Sequence, residues 1–302
     1  MPTSTELMQR IVERHAALGL DSNTAPEALP ADDSAHAIAH AAARRLGFIP
    51  ADADVVAKAW QRQSERTGRF DPGAWPVEPA DFGVPPGPRP DAFAPCPHAL
   101  GLYAVLPSAE WVARMARAGV PTVQLRFKSQ DAAAVRAEIR AAVDAVRGTA
   151  SLLFINDHWR EAISAGAYGV HLGQEDLDTL SEADLGEIRS AGLRLGLSTH
   201  GYAEMLRADA VGPSYLALGA VFPTTLKAMA TPPQGTGRLH AYARLMRARS
   251  LVAIGGIAAG QLPEIASSGV GSFAVVRAIT GAAEPEAAAA SLQQAWQQAR
   301  AG

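Results

Sequence analysis

The sequence predicts a closed (β/α)8 barrel, a TIM barrel, with a small helical N-terminal extension. Three observations carry this prediction. From residue 99 onward, apolar runs of strand length alternate with amphipathic stretches of helix length. Eight such pairs follow one another in roughly 200 residues, the compact end of the range for this barrel. The strand runs are apolar throughout rather than alternating, as expected for a parallel sheet covered by helices. A doubly wound open sheet is the structural alternative, but the glycine fingerprint of dinucleotide-binding sheets is missing after the first strand.

The expected strands are 101–106, 122–125, 151–155, 168–172, 193–197, 215–221, 251–254 and 272–276. The expected helices are 110–118, 132–147, 159–165, 182–190, 202–210, 239–249, 261–268 and 285–299. Ahead of the barrel, residues 1–70 are Ala-rich and read as three helices. The first spans 4–18, with Leu7, Ile11 and Leu18 on one face. The second spans 34–46 and ends at Gly47, a plausible C′ glycine. The third spans 53–66 and ends before Gly68, while Pro26, Pro30 and Pro50 punctuate the series. Nine prolines then lie from Pro72 to Pro97, a density that forbids regular helix or central strand. Residues 71–98 therefore read as an extended arm. Its aromatics Trp75, Phe82 and Phe93 imply that it lies against apolar surface, because free linkers rarely carry them. The expected organisation is a helical extension (1–70), a proline-rich arm (71–98) and a catalytic barrel (99–302). The extension is expected to dock on the outside of the barrel and to supply no catalytic group.

Bulk composition narrows the function. The chain has 302 residues, 48% of them hydrophobic, enough for one large core with a small addition. A net charge of -3 gives no sign of a nucleic-acid or membrane-surface partner. No apolar run reaches membrane-spanning length, and the N-terminus lacks the basic and apolar stretches of a secretory signal. Cys96 is the only cysteine, so no intramolecular disulfide forms. A soluble cytoplasmic protein acting on small molecules is the expectation, and a homo-oligomer is compatible with it.

In such a barrel the active site lies at the C-terminal strand ends. There the sequence places Gln124, Arg126 and Lys128 after strand 2, Asn156 and Asp157 after strand 3, and Asp176 after strand 4. Ser198 follows strand 5, Thr224 and Lys227 follow strand 6, Gly255 and Gly256 follow strand 7, and Val276 and Arg277 close strand 8. Any one polar strand end means little. Together, three cations (Arg126, Lys128, Lys227) face one mouth with two carboxylates (Asp157, Asp176) on adjacent strands. Lys and Arg hold phosphate oxygens. Two carboxylates beside phosphates suit Mg2+, which fills its shell with water and phosphate oxygens. A two-glycine turn lets backbone N–H groups approach a ligand, after the strand where barrels often bind phosphate. These residues describe a site for two phosphate groups, one of them metal-assisted.

The strings Q-L-R-x-K (124–128), I-N-D (155–157), G-V-H-L-G-Q-E-D-L (169–177), S-T-H (198–200), V-F-P-T-x-x-K (221–227) and V-A-I-G-G-I (252–257) resemble those of thiamine phosphate synthases. The resemblance covers about two thirds of the chain, and the 167–177 string is the most specific part. It implies condensation of a hydroxymethylpyrimidine diphosphate with a thiazole phosphate, releasing pyrophosphate. It implies that Asp157 and Asp176 hold Mg2+, that Arg126, Lys128, Asn156 and Lys227 bind the diphosphate, and that Gln124 positions the pyrimidine. It further implies that Ser198 lies near the leaving group and that Thr224 and the Gly256 backbone take the thiazole phosphate, with Val276 and Arg277 on that side. Arg126, Lys227 and Ser198 are the catalytic candidates. Two positions depart from the family pattern: Leu226 stands where Thr is usual and Arg277 where Ser is usual, both on the thiazole side. An arginine at 277 could return the phosphate contact that Leu226 lacks. A thiazole tautomerase-like paralogue, or a degenerate barrel binding a phosphorylated ligand as a regulator, are the alternatives. The first would not need Asn156, Asp157, Asp176 and Lys227.

Overall fold

The computed structural model describes residues 2–20, 29–224 and 231–301. Pro26, Leu226 and Lys227, singled out above, lie outside the described residues.

Eight parallel strands close into a barrel in sequence order, β1 pairing with both β2 and β8. They are β1 Gly101–Leu106, β2 Thr122–Leu125, β3 Leu152–Asn156, β4 Gly169–Leu172, β5 Arg194–Thr199, β6 Tyr215–Gly219, β7 Leu251–Ile254 and β8 Ser272–Val275. Among the described residues three α-helices precede the barrel, α1 Ser4–Arg14, α2 Ala35–Arg45 and α3 Pro50–Thr67, with short 3-10 helices at Ala16–Leu18 and Pro79–Phe82. The helices within and around the barrel are α4 Ala109–Arg117, α5 Ala132–Val146, α6 Trp159–Ala165, α7 Gln174–Thr179, α8 Glu182–Ser190, α9 Tyr202–Val211, α10 Gly235–Leu245, α11 Leu262–Ser267, α12 Arg277–Thr280 and α13 Pro285–Ala301.

The differences from the expected elements have local causes. Pro50 opens α3 rather than separating helices, because at the first helical turn its missing N–H has no intrahelical partner to lose. β5 runs two residues further than its apolar stretch. Thr199 is buried there with its hydroxyl donating to the Ala217 carbonyl, 3.0 Å away. α10 begins four residues early, across Gly235 and Gly237. Its first free N–H groups are satisfied by the strand exit: Gln234 N donates to Ala220 O at 2.8 Å and Gly235 N to Val221 O at 3.0 Å. Tertiary partners override the low helix propensity of glycine there.

Two packed regions result. Outside the strands, one continuous apolar core joins them to the surrounding helices and to the N-terminal residues Met8, Ile11, Ile38, Val56 and Trp60. Inside the barrel, Tyr103, Val105, Phe154, Tyr215, Ala217 and Val252 form a separate plug. Three aromatic rings fit there because neighbouring strands carry glycine at the facing positions. A Cβ on Gly196 would sit 2.1 Å from the Tyr215 ring, and one on Gly169 would sit 2.5 Å from Phe154.

The residues before β1 run down one side of the barrel. Trp75 Nε1 donates to Tyr202 Oη at the start of α9 (3.0 Å). Further along, Arg247 near the end of α10 pairs with Glu78 at 3.2 Å. At the C-terminal end of α9, Arg89 donates to the Asp209 carboxylate at 3.0 Å, and Arg249 donates to its other oxygen at 2.6 Å. Ser214 Oγ then donates to Ala94 O at 2.6 Å, and Leu100 N to Ser272 Oγ at 2.7 Å, which delivers the chain to the bottom of β1. Asp209 is 1% exposed, so its charge depends on both guanidinium groups. Replacing Asp209 with Ala strands two partly buried cations. It should lower stability by about 3 kcal/mol, the low end for a broken buried pair because both arginines keep some solvent. Urea unfolding measures this, and an unchanged midpoint would contradict the attachment described.

Candidate active site

The mouth formed by the C-terminal strand ends gathers the singled-out residues that lie among those described; Lys227 and Leu226 do not. Asn156 ends β3, and Asp157 follows it in the left-handed region at φ 65, the one non-glycine residue with positive φ among those described. Non-glycine residues adopt that conformation at a cost, and such strain clusters at functional sites. Its backbone N–H donates to the His171 carbonyl at 3.1 Å, which holds the turn. The carboxylate is met by Lys128, whose Nζ donates to Asp157 Oδ2 at 2.6 Å. Arg126 continues β2, its N–H donating to Leu106 O at 2.8 Å.

Asp176 lies in the first turn of α7, a helix that the sequence reading did not separate from its loop. One oxygen accepts the Gly173 N–H at 2.7 Å. Burial pushes the Asp176 carboxyl pKa above its ordinary value. The Gly173 N–H opposes this, the Asp157 charge adds to it and the Lys128 ammonium opposes it. The Asp157 and Asp176 carboxylates are thus near enough for each charge to act on the other, and the Lys128 ammonium, bonded to Asp157, offsets both. Gln174, on the same turn, donates to the Ser198 carbonyl at 2.8 Å and ties α7 to the end of β5.

Below the mouth runs a column of buried polar groups. Ser198 Oγ lies 2.8 Å from His171 Nε2, and His171 Nδ1 lies 2.7 Å from Tyr215 Oη. Tyr215 Oη is 2.8 Å from Tyr103 Oη, which donates to Gln124 Oε1 at 2.9 Å, and Gln124 Nε2 donates to Asn156 Oδ1 at 2.9 Å. Each hydroxyl has one proton and neutral imidazole has one N–H, so these bonds are ordered. With Tyr103 donating to Gln124, Tyr215 donates to Tyr103, His171 donates to Tyr215 through Nδ1, and Ser198 donates to His171. The opposite polarity needs the other imidazole tautomer and both amides turned over. Burial lowers the His171 pKa to about 4, with the Asp157 charge acting weakly the other way, so the imidazole is neutral near pH 7. Burial raises the pKa of both tyrosines, so their hydroxyls keep their protons.

At the opposite side of the mouth, Gly255 and Gly256 both have positive φ. A Cβ at Gly255 would lie 2.5 Å from Ala220, and one at Gly256 would lie 2.5 Å from the Pro223 carbonyl, so this turn packs against the exit of β6. Thr224 is half-buried beside it. Val276 caps α12, and Arg277 begins it with an exposed side chain that makes no hydrogen bond or ion pair among the described residues. The site thus brings together Gln124, Asn156, Asp157, Lys128, Asp176 and Ser198 through direct bonds or close charges. It sets Thr224, Gly256 and Arg277 on adjoining strand ends. Sequence reasoning missed Tyr103 and Tyr215, which sit in apolar runs and read as core. Their signal was a hydroxyl-bearing residue at an inward position of β1 and of β6.

Cations, paired carboxylates and a glycine turn at one mouth of a closed parallel barrel define a phosphate-handling (β/α)8 enzyme. The comparisons with known proteins narrow this further. A family model described as thiamine monophosphate synthase matches residues 102–279. The chain is 53% identical over 204 residues to the thiamine-phosphate synthase of Neisseria meningitidis serogroup A, covering 68% of this chain and 98% of that one. It is 53% identical over 190 residues to the thiamine-phosphate synthase of Cronobacter sakazakii, covering 63% of this chain and 89% of that one. Among solved structures, the thiamine phosphate pyrophosphorylase from Pyrococcus furiosus is 26% identical with a TM-score of 0.57, covering 66% of this chain and 96% of that one. This chain belongs to the thiamine monophosphate synthase family.

Among the described residues no helix is long and apolar enough to cross a membrane. Cys96, half-buried, donates its thiol to the Ser214 carbonyl at 3.1 Å, and burial raises its pKa.

The column gives a direct test. Tyr215→Phe removes one hydroxyl and leaves His171 and Tyr103 each short of a buried partner. Stability should fall by about 1–3 kcal/mol, the cost of an unsatisfied buried group. Thermal or urea unfolding of the variant checks this, and wild-type stability would mean that the column carries no load.

Proposed function

We propose that this chain joins hydroxymethylpyrimidine diphosphate to thiazole phosphate, giving thiamine phosphate and pyrophosphate. The observation that carries the reading is the pairing of Asp157 with Lys128 across from Asp176, directly above the Gln124–Asn156 amide pair. In the reaction the methylene C–O bond breaks and its electron pair leaves with pyrophosphate. The thiazole nitrogen then supplies the pair for the new C–N bond, so no protein nucleophile is needed.

The residues fit Mg2+. Two carboxylates repel one another across the mouth, and a lysine ammonium is the cation that offsets them. Among the described residues no three His, Cys, Asp or Glu side chains converge, so the remaining ligands would be water and diphosphate oxygens. Asp157 and Asp176 would hold the ion, which when bound neutralises the charge that develops on the leaving group. Arg126, Lys128 and Lys227 bind the diphosphate, and Asn156 offers its amide to the same oxygens. Gln124, fixed by Tyr103, orients the pyrimidine. Ser198 stands beside the leaving group, and an anion there favours the opposite column polarity, in which His171 Nε2 donates to Ser198 Oγ and the Ser198 proton is free for the anion. Thr224 and the Gly256 N–H receive the thiazole phosphate, joined by the guanidinium of Arg277 at the adjoining strand end, with Val276 packing beside them. Small phosphorylated substrates and a single inert thiol suit a cytoplasmic enzyme.

Purified enzyme given both substrates and Mg2+ should release pyrophosphate and form thiamine phosphate. Asp157→Ala and Asp176→Ala should each lower turnover by about 10²–10³-fold at saturating Mg2+, the usual cost of losing one electrostatic partner of the developing charge. Full activity in both variants would overturn the metal assignment.

A further inference from the structure

A third of this chain has no counterpart in the Neisseria relative, and the family model begins only at residue 102. What precedes it is attached at two positions that bear on the mouth. In a (β/α)8 barrel the helix after each strand starts at the active-site face. The extension holds the starts of the two helices that follow β5 and β6.

At α9 the contact is a cap made by a distant residue. The N-cap position is Gly201, which has no side chain to satisfy the first N–H groups of the helix. Asp52 of α3 fills that role: its Oδ1 accepts the Ala203 N–H at 2.8 Å, and the carboxylate is 3% exposed. It lies so close to Gly201 that a Cβ there would be 2.1 Å from its other oxygen. The next residue, Tyr202, is fully buried, with its ring against Phe48 and Phe82 from the N-terminal segment and its hydroxyl accepting from Trp75. Three residues before Gly201 stands Ser198.

At α10 the contact is a buried guanidinium. Arg238 is 2% exposed and lies 3.7 Å over the Phe48 ring. Its Nε donates to Leu18 O and its Nη2 to Leu46 O, each at 2.9 Å, and Leu46 O also accepts the Leu20 N–H at 3.2 Å. Its Nη1 donates to Gln234 Oε1 at 3.0 Å. Gln234 and Gly235 donate their backbone N–H groups to Ala220 and Val221, and the Gly255–Gly256 turn packs on residues 220–223. Gly237 lets the extension approach this closely, because a Cβ there would lie 1.9 Å from Ala17 O. An unbroken series of contacts runs from the extension to the turn assigned above to the thiazole phosphate.

We propose that the N-terminal extension is a positioning element of the active-site face. Asp52 sets the start of α9 and with it Ser198. The Leu18 and Leu46 carbonyls, acting through Arg238 and Gln234, set the exit of β6 and the Gly255–Gly256 turn. The assignment of half-sites rests on the function proposed above; the mechanical coupling does not.

The experiment uses full-length protein. Asp52→Ala and Arg238→Met are compared with the conservative Asp52→Asn and Arg238→Lys by steady-state kinetics on both substrates. Amide hydrogen exchange is followed over residues 198–206 and 220–224. Asp52→Ala should speed exchange in 198–206 and lower kcat with little change in the thiazole phosphate KM. Arg238→Met should raise the thiazole phosphate KM by about five- to tenfold, the size of one lost cap or hydrogen bond, and leave the diphosphate KM near the parent value. Asp52→Asn keeps an accepting oxygen and should recover most of the activity, and Arg238→Lys should recover part of it. Should Arg238→Met fail to fold, the Arg238→Lys and Asp52 pairs carry the same comparison. If folded variants exchange like the parent and keep kcat and both KM values within about twofold, the extension is mere packing and the proposal falls. If the parent itself makes no thiamine phosphate, the reaction assigned above is wrong, and the exchange data still decide the coupling.

Discussion

The hydroxyls of Tyr103 and Tyr215 meet 2.8 Å apart inside the barrel, where no solvent can satisfy either. An unpaired hydroxyl there would cost about 1–3 kcal/mol. Each tyrosine therefore needs a second partner, and those partners are the groups that reach the mouth. Tyr103 passes the requirement to Gln124 and Asn156, and Tyr215 passes it to His171 and Ser198. The column fixes side chains on six strands, β1 to β6, in one hydrogen-bonded order. It also explains why Gly169 and Gly196 lie where they do, since the rings need that room. The apolar plug and the polar site are thus one construction: aromatic bodies fill the barrel, and their polar tips orient the residues above.

The same logic governs the seam with the extension. Arg238, Asp52 and Asp209 are charged groups with almost no exposure, and each is satisfied across the seam. Removing a charge from water is tolerated only when its hydrogen bonds are replaced. The Leu18 and Leu46 carbonyls supply those replacements for Arg238, Arg89 of the arm supplies one for Asp209, and the Ala203 N–H of the barrel supplies one for Asp52. In return, the Tyr202 ring, which itself packs on Tyr242, is covered by Phe48 and Phe82. A barrel with these residues at these positions is built to be covered on its α9–α10 side.

Much of this was legible in the sequence, for a physical reason. Strands buried on both faces leave continuous apolar runs, so all eight were found within two residues at either end, and the polar groups just beyond them marked the mouth. That reasoning placed Asp157, Asp176, Lys128 and Asn156 at or beyond the strand ends, where the structure has them. What stayed hidden depends on long-range contacts. Only a hydroxyl at an inward strand position distinguishes Tyr103 and Tyr215 from other core aromatics, and its partners lie on other strands. Asp52 looks like an ordinary residue in the first turn of a helix, yet it caps another helix 151 positions away. Arg238 reads as a surface arginine until the carbonyls of Leu18 and Leu46 close around it. Residues 71–98, expected as extended chain, include a 3-10 turn at Pro79–Phe82, and their route down the barrel follows from pairings such as Arg89 with Asp209 that no spacing reveals.

The central claim is that this mouth binds a diphosphate with one divalent cation between Asp157 and Asp176. Crystals grown with Mn2+ and pyrophosphate test it most directly, because the anomalous signal of manganese locates the ion independently of any assay. The account predicts a single peak bonded to both carboxylates, with pyrophosphate oxygens completing its shell and reaching Arg126, Lys128 and Asn156. Pyrophosphate bound elsewhere, or a metal peak that touches neither carboxylate, would contradict it.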